Sequence, residues 1–297
     1  MKIKEFFKNK PVISLEIFPP KPETPIDTIF DTIDALSDLK PAFMSVTYGA
    51  GGSSKANTVK IADAIKNKYN IEALAHLTCI GAKRDEIDNI LKQLKEYNIE
   101  NIMALRGDIP VGSDPASFEN AEYKYAKDLI SYIKEKDSFC IGAACYPEGH
   151  IECPDIVKDL KHLKLKADSG ADFLITQLFF DNNLYFSLME KLDMLDVNLP
   201  VSAGIMPVIN KKQIERITGL CGASIPPKFK RILDKYGDNP GALKEAGIAY
   251  ATEQIIDLLS SGAAGIHLYT MNRPEVARKI IYPITNIRSF FSESSEN

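Results

Sequence analysis

A repeated alternation constrains this chain more than any other feature. Eight short β-rich apolar runs, Val12–Phe18, Phe43–Tyr48, Ala73–Thr78, Ile102–Arg106, Phe139–Ala144, Phe173–Phe179, Val201–Met206 and Gly265–Tyr269, are separated by stretches of helical period. Helical spacing is plain in Ile26, Ile29, Phe30, Ile33 and Leu36, and again in Ile87, Ile90, Leu91 and Leu94. It returns in Ile156, Leu160 and Leu163, and in Ile248, Ile255, Ile256 and Leu259, with Gly262 placed to cap the last series. Strands joined through helices run parallel, since a helix carries the chain back to its starting edge. Closing eight such units gives a single (β/α)8 TIM barrel with no exposed edge; a doubly wound sheet is the alternative. No linker divides the chain, so 1–297 reads as one catalytic barrel domain, with 1–10 and 290–297 as terminal extensions. Val111–Glu122, rich in Pro, Gly, Ser and Asp, is expected as a long loop, and the tail SFFSESSEN as frayed chain.

Composition removes several function classes. With 36 basic and 40 acidic residues the formal charge is −4, which offers no footprint for nucleic acid. No apolar run reaches the roughly 20 residues that span a bilayer, and the opening MKIKEFFKNKP lacks the apolar core of a secretory signal. The five cysteines, Cys79, Cys140, Cys145, Cys153 and Cys221, are odd in number and show no zinc spacing, so reduced thiols in a cytoplasmic protein are expected. No GxGxxG, P-loop, HExxH or GxSxG motif occurs, and no metal is expected. Chemistry without metal or an obvious nucleophile points to acid/base work or an organic cofactor.

Function in a barrel is built at the C-terminal ends of the strands, and polar residues collect there. The first run carries Glu16, the second ends in Thr47-Tyr48, the third holds His76, and the fourth ends Arg106-Gly107-Asp108. Tyr146 and His150 follow the fifth, Gln177 lies in the sixth, and Tyr269 through Arg273 close the eighth. Each has a purely structural reading: a core histidine at 76, an Arg106–Asp108 ion pair, a Gln177 bonded within the barrel, and lysines 158, 161, 164 and 166 on a solvated helix face. Their shared end favours a ligand site, because structural accidents would scatter over both ends.

The motifs LEIFPPK, SVTYGAGG, AHLTC, ALRGD, YPEGH, ITQLFFD, GIMPV and YTMNR occur in this order between Val12 and Arg273. In content, order and spacing they resemble the bacterial methylenetetrahydrofolate reductases. The resemblance implies a flavin barrel holding FAD non-covalently through Thr47, Tyr48, Ala50, His76, Arg106, Gly107, Asp108, Tyr125, Ala126, Tyr146, His150, Asp159, His162 and Lys166. It implies Glu16 as general acid, Asp108 as a second catalytic group, and Gln177, Gln213, Tyr269 and Arg273 as substrate contacts. Three positions depart from the family pattern: Ile217 replaces a stacking aromatic, Leu165 a flavin-contacting arginine, and His162 an asparagine.

The implied activity is ping-pong reduction of 5,10-methylenetetrahydrofolate to 5-methyltetrahydrofolate, with NADH or NADPH as co-substrate, serving methionine synthesis. On this reading the apolar neighbours Leu15, Ile17 and Phe18 raise the Glu16 pKa so that it donates a proton. The partners expected are small molecules, with no nucleic acid and no membrane, in a homo-oligomer. Three alternatives stay open: a proline-dehydrogenase-like flavin barrel, a barrel subunit taking electrons from a protein partner, and a metabolite-binding barrel without catalysis.

Overall fold

The computed structural model describes residues 1–8, 11–21, 23–48, 52–109, 112–114, 118 and 121–293. Eight parallel strands close in sequence order: β1 (Val12–Ile17), β2 (Phe43–Val46), β3 (Glu72–Thr78), β4 (Asn101–Leu105), β5 (Cys140–Cys145), β6 (Phe173–Thr176), β7 (Val201–Ile205) and β8 (Gly265–Tyr269). β8 returns to pair with β1, so the fold is a (β/α)8 barrel. The intervening helices are α1 (Asp27–Ser37), α2 (Gly52–Asp63), α3 (Arg84–Glu96), α4 (Ala126–Lys136), α5 (Ile156–Asp168) and α6 (Asn182–Met194). Three helices, α7 (Lys211–Cys221), α8 (Pro227–Tyr236) and α9 (Pro240–Ser260), separate β7 from β8; α10 (Pro274–Ile281) and α11 (Thr285–Glu293) follow. Among the described residues, no helix is long and apolar enough to cross a membrane.

Strand alternation sorts the side chains into two populations. Ile13, Leu15 and Ile17 of β1 face outward and pack with Ile29, Ile33 and Leu36 of α1, the apolar stripe read from the sequence. Val12, Phe43, Leu74, Met103, Cys140 and Phe173 instead fill the N-terminal end of the barrel. Gly142 makes room there, since a Cβ would lie 2.7 Å from the Phe173 ring. The opening segment, read from the sequence as an extension, supplies a 3-10 turn at Ile3–Lys8; Ile3 is buried and donates its N–H to Asn101 Oδ1 at 2.7 Å. Phe7 meets Phe173 at 5.7 Å between ring centroids.

A second apolar cluster forms beyond the strand ends. Leu178 and Phe180 after β6, and Met206 and Val208 after β7, pack with Ile214, Phe229, Leu233 and Leu243. The sixth sequence run therefore splits: Phe173–Thr176 is strand, and the apolar residues after it belong to this cluster. Periodicity cannot separate a strand from the buried loop that continues it. The tail corrects another expectation, because α11 carries Ser289 through Phe291, and Phe291 packs on the main core. Of the Val111–Glu122 loop, positions 111, 115–117, 119 and 120 lie outside the described residues.

Phe173 couples the floor of the barrel to the N-terminal turn. Phe173→Ala should lower unfolding stability by about 3–5 kcal/mol, the cost of a large core cavity, as read from urea titration; a loss below about 1 kcal/mol would mean that the floor collapses around the gap.

Candidate active site

Glu16 points into the barrel, not toward its apolar sequence neighbours. Register places it beside Ser45 of β2 and Tyr269 of β8, and places Ser14 beside His267. Its Oε2 accepts a hydrogen bond from Ser45 Oγ at 3.2 Å and lies 3.4 Å from Nε2 of both His267 and His76. The loop after β8 grips β1 around this residue. Thr270 Oγ1 donates to the Glu16 carbonyl at 2.6 Å, while Asn272 receives the Phe18 N–H at 2.9 Å and donates to the Phe18 carbonyl at 2.8 Å. Met271 and Asn272 hold φ of 52° and 55° to make that double contact, a left-handed backbone maintained by its surroundings.

This geometry corrects the expected pKa. Burial raises the Glu16 carboxyl, but the hydrogen bond from His267, the attraction that the His76 and His267 rings exert when protonated, and the Ser45 hydroxyl outweigh it and bring it below the ordinary carboxylate value. Leu15 and Ile17 add nothing to the carboxylate's surroundings, because they lie on the opposite face of the strand. Burial also pushes His76 down to about 4, against the pull of Glu16 and with His267 adding to the downward push. His76 is therefore neutral at pH 7, and the His267 and Ser45 hydrogen bonds are what keep Glu16 ionised.

A second group of residues lines one wall. Arg106, after β4, makes a two-pronged ion pair with Glu152, at 2.5 and 2.8 Å, so its partner is not the Asp108 of the purely structural reading. Asp108 is exposed. Gly107 has φ +85°, and a Cβ there would lie 2.8 Å from Thr78 Cβ, so only glycine fits. Tyr146 meets His150 edge-on at 4.6 Å, and Lys166 sits 5.5 Å from the Tyr146 ring. Lys166 leaves the solvated face expected for it: its Nζ donates to the Ala144 carbonyl at 2.5 Å, and burial lowers its pKa. Asp159 and His162 stand one helical turn apart on α5, where His162 stacks on Tyr125 at 6.1 Å. Cys153, Asp159 and His162 also bring their ligand-type atoms within 4.8 Å of one another, a grouping that no sequence spacing announced.

The other expected residues occupy the same end. Thr47 and Tyr48 follow β2, Ala126 opens α4 and Gln177 follows β6, where its Oε1 accepts the Leu178 N–H at 2.9 Å. Tyr269 donates its hydroxyl to the Thr176 carbonyl at 2.7 Å. It crosses β7 over Gly204, where a Cβ would lie 2.8 Å from the tyrosine ring. Gln213 lies in the first turn of α7 and Arg273 caps α10, 3.8 Å from Glu275; no hydrogen bond or ion pair among the described residues ties either to Glu16 or to the Arg106 wall. Ala50 lies outside the described residues. A cavity of about 190 Å³ lined by Phe6, Val12, Ile13 and Phe291 opens at the opposite end of the barrel and holds none of these groups.

A family model described as methylenetetrahydrofolate reductase matches residues 2–285. The chain belongs to the methylenetetrahydrofolate reductase family. Over 272 residues it is 36% identical to the 5,10-methylenetetrahydrofolate reductase of Escherichia coli, covering 92% of this chain and 90% of that protein. It is 36% identical over 279 residues to methylenetetrahydrofolate reductase (NADH) 1 of Arabidopsis thaliana, covering 89% of this chain and 47% of that protein. The chain thus spans about half the length of the plant and yeast relatives it matches. Among solved structures, a Clostridium thermocellum protein that binds two copies of 5-methyl-5,6,7,8-tetrahydrofolic acid aligns with a TM-score of 0.61 at 15% identity, over 97% of this chain and 99% of that one, which supports the fold.

Sequence reasoning missed two residues that this geometry brings to the candidate site, His267 and Glu152, and assigned no role to Asn272, which it had only quoted within YTMNR. For His267 the signal was present, because the alternation that turns Tyr269 inward turns His267 inward as well. Glu152 and Asn272 lie in loops, where no period applies.

The neutral state of His76 has a measurable consequence. A histidine kept neutral in the fold but protonated in the unfolded chain withdraws stability as pH falls, beginning near its ordinary 6.5 and ending below about 4. Between pH 7 and pH 5 the loss comes to about 2 kcal/mol. Denaturant titrations should show this drop for the wild type and a clearly smaller one for His76→Gln; equal drops would acquit His76.

Proposed function

We propose that this chain reduces 5,10-methylenetetrahydrofolate to 5-methyltetrahydrofolate in a ping-pong reaction, using NADH or NADPH and a non-covalent FAD, as a cytoplasmic homo-oligomer. The observation that carries the reading is a buried, tightly held carboxylate, Glu16, in the mouth of a barrel of this family whose strand ends also carry Arg106 and, beside them, Lys166. Family membership favours it over a proline-dehydrogenase-like barrel.

The residues present fit the flavin. Arg106 and Lys166 offer cations for a pyrophosphate, and Asp159, His162 and Tyr125 lie beside them. His76 Nε2 is a buried polar atom that makes no hydrogen bond among the described residues, which suits an additional polar contact. When bound, FAD supplies a hydride acceptor for NAD(P)H and a hydride donor for the folate. The protein's own part is proton management and placement. Glu16 takes up a proton from solvent at the mouth, and a folate seated there closes off its remaining access to water, which favours the protonated form; that proton then passes to N10 and opens the imidazolidine ring, leaving the carboxylate. The exposed Asp108 carboxylate offsets the cationic charge that develops on the pterin. Gln177, Gln213 and Tyr269 orient the ring system, and Arg273 is suited to the carboxylates of the glutamate tail.

Anaerobic mixing tests this directly. NADH should bleach the yellow protein, and methylenetetrahydrofolate should restore its colour. Glu16→Gln should still bleach but fail to recolour, and loss of both half-reactions, or of neither, would reject Glu16 as the acid. A protein that stays colourless after FAD is added would overturn the flavin reading.

The Arg106–Glu152 pair yields a second expectation, because Glu152 occupies the guanidinium edge that a phosphate would take. Removing this competitor in Glu152→Gln should tighten FAD binding a few-fold, the scale of a partly exposed ion pair worth up to about 1 kcal/mol. Flavin fluorescence titration reads the change, and weaker binding would show that Glu152 helps to hold the cofactor.

A further inference from the structure

Among the described residues, three polar groups closely approach the Glu16 carboxylate, and all fall on one oxygen, Oε2: Ser45 Oγ, His267 Nε2 and His76 Nε2. Oε1 takes part in none of them. Behind Oε2 a chain of groups runs down the barrel interior. His267 is fully buried, its Nε2 3.2 Å from Ser45 Oγ and its Nδ1 2.7 Å from Ser14 Oγ. The Ser14 hydroxyl has two acceptors for its one proton, the Ile266 carbonyl at 3.2 Å and His267 Nδ1 at the shorter 2.7 Å. The imidazole is clamped by Phe43, stacked at 6.0 Å, and by Tyr269, edge-on at 5.5 Å.

We propose that Ser14 and His267 form a positioning dyad that fixes which oxygen of Glu16 carries the transferable proton. When the Ser14 hydroxyl donates along its shorter contact, Nδ1 is an acceptor and the ring proton of the neutral imidazole sits on Nε2. Nε2–H is then shared between Ser45 Oγ at 3.2 Å and Oε2 at 3.4 Å, and the Ser45 hydroxyl donates to Oε2, which must remain an acceptor in either protonation state of the carboxyl. A proton taken up from the mouth is left with Oε1, and from there it passes to the substrate nitrogen; the carboxylate is regenerated and the dyad neither gains nor loses a proton. The arrangement inverts the usual Ser–His–carboxylate order of roles, since the carboxyl is the reacting group and the serine sets the tautomer. Among the described residues, the other titratable groups facing Glu16 are His76 from β3 and Tyr269 from β8, and β7 brings none.

The inference rests on Glu16 being the proton donor, and its test separates the two claims. Nitrogen-15 spectroscopy of histidine-labelled, folate-free protein should show His267 as the Nε2–H tautomer in the wild type, and a mixture of tautomers in Ser14→Ala. Stopped flow should show the folate half-reaction of Ser14→Ala slowed by about tenfold, the scale of a modest misplacement of a catalytic group. Its dependence on the ionisation of Glu16 should move to a different pH, while flavin reduction by NADH is unchanged. His267→Gln, which keeps an N–H donor near Nε2, should retain more folate activity than His267→Leu. An Nδ1–H tautomer in the wild type, or a Ser14→Ala enzyme with an unshifted pH profile, overturns the dyad whatever Glu16→Gln does. Folate reduction that persists in Glu16→Gln overturns the acid assignment, whatever the tautomer.

Discussion

Burying an ionised carboxylate inside a barrel costs several kcal/mol unless hydrogen bonds replace the lost water, and much of this interior is arranged to supply them. The inward positions of β8, β1, β2 and β3 carry His267, Ser14, Ser45 and His76 around Glu16, while Met103, Phe173 and Ile175 fill the facing side with apolar surface. The two small serines matter as much as the histidines. Each is short enough to sit in the barrel without displacing the floor, and each has a hydroxyl that both donates and accepts. Larger or apolar residues at either position would leave a buried imidazole nitrogen or a carboxylate oxygen without a partner, an expensive outcome in a low-dielectric interior.

The same logic of satisfied polar groups explains the cationic wall. Neither Arg106 nor Lys166 waits with an empty valence: Arg106 is forked onto Glu152, and Lys166 leans on the Ala144 carbonyl and the Tyr146 ring. These partners differ in how readily they yield. The Glu152 side chain is about half exposed and regains water when released, whereas the lysine partner is a fixed backbone carbonyl. Anion binding at this wall is therefore an exchange of partners. Its net affinity is a difference, set on the Arg106 side by the ease with which a loop carboxylate swings into solvent.

Much of this was legible in the sequence, for reasons that can be named. Period-2 runs and helical spacing specified eight parallel strands with crossover helices, closed barrel or doubly wound sheet, because a fold buried on both faces of its sheet writes itself into composition. The strand-end residues were legible because a barrel collects function at one end. The state of Glu16 was not, since sequence adjacency puts Leu15 and Ile17 beside it while strand geometry sends them to the other face. Partner choice was equally hidden: Arg106 passes over Asp108, two residues away, for Glu152 in a separate loop. The second apolar cluster was hidden because Leu178 and Phe180 continue a strand-like run into a loop whose burial comes from α7 and α8.

The loop after β8 shows how such a site is kept in register. A barrel strand is fixed laterally by its ladder, but its C-terminal end has no ladder beyond the last pair, and a small axial shift of β1 would carry Glu16 away from His267. Asn272 answers this by bonding both polar groups of Phe18 as a third strand might, and Thr270 bonds the Glu16 carbonyl itself. The two left-handed residues needed to turn Asn272 back onto β1 are costly in isolation, of order 1–3 kcal/mol each. That cost is tolerable because the bonds it permits tie the two strands that carry Glu16 and His267 at the level of the carboxylate. Strain in the YTMNR loop is thus part of what holds an acid and its histidine at a fixed separation.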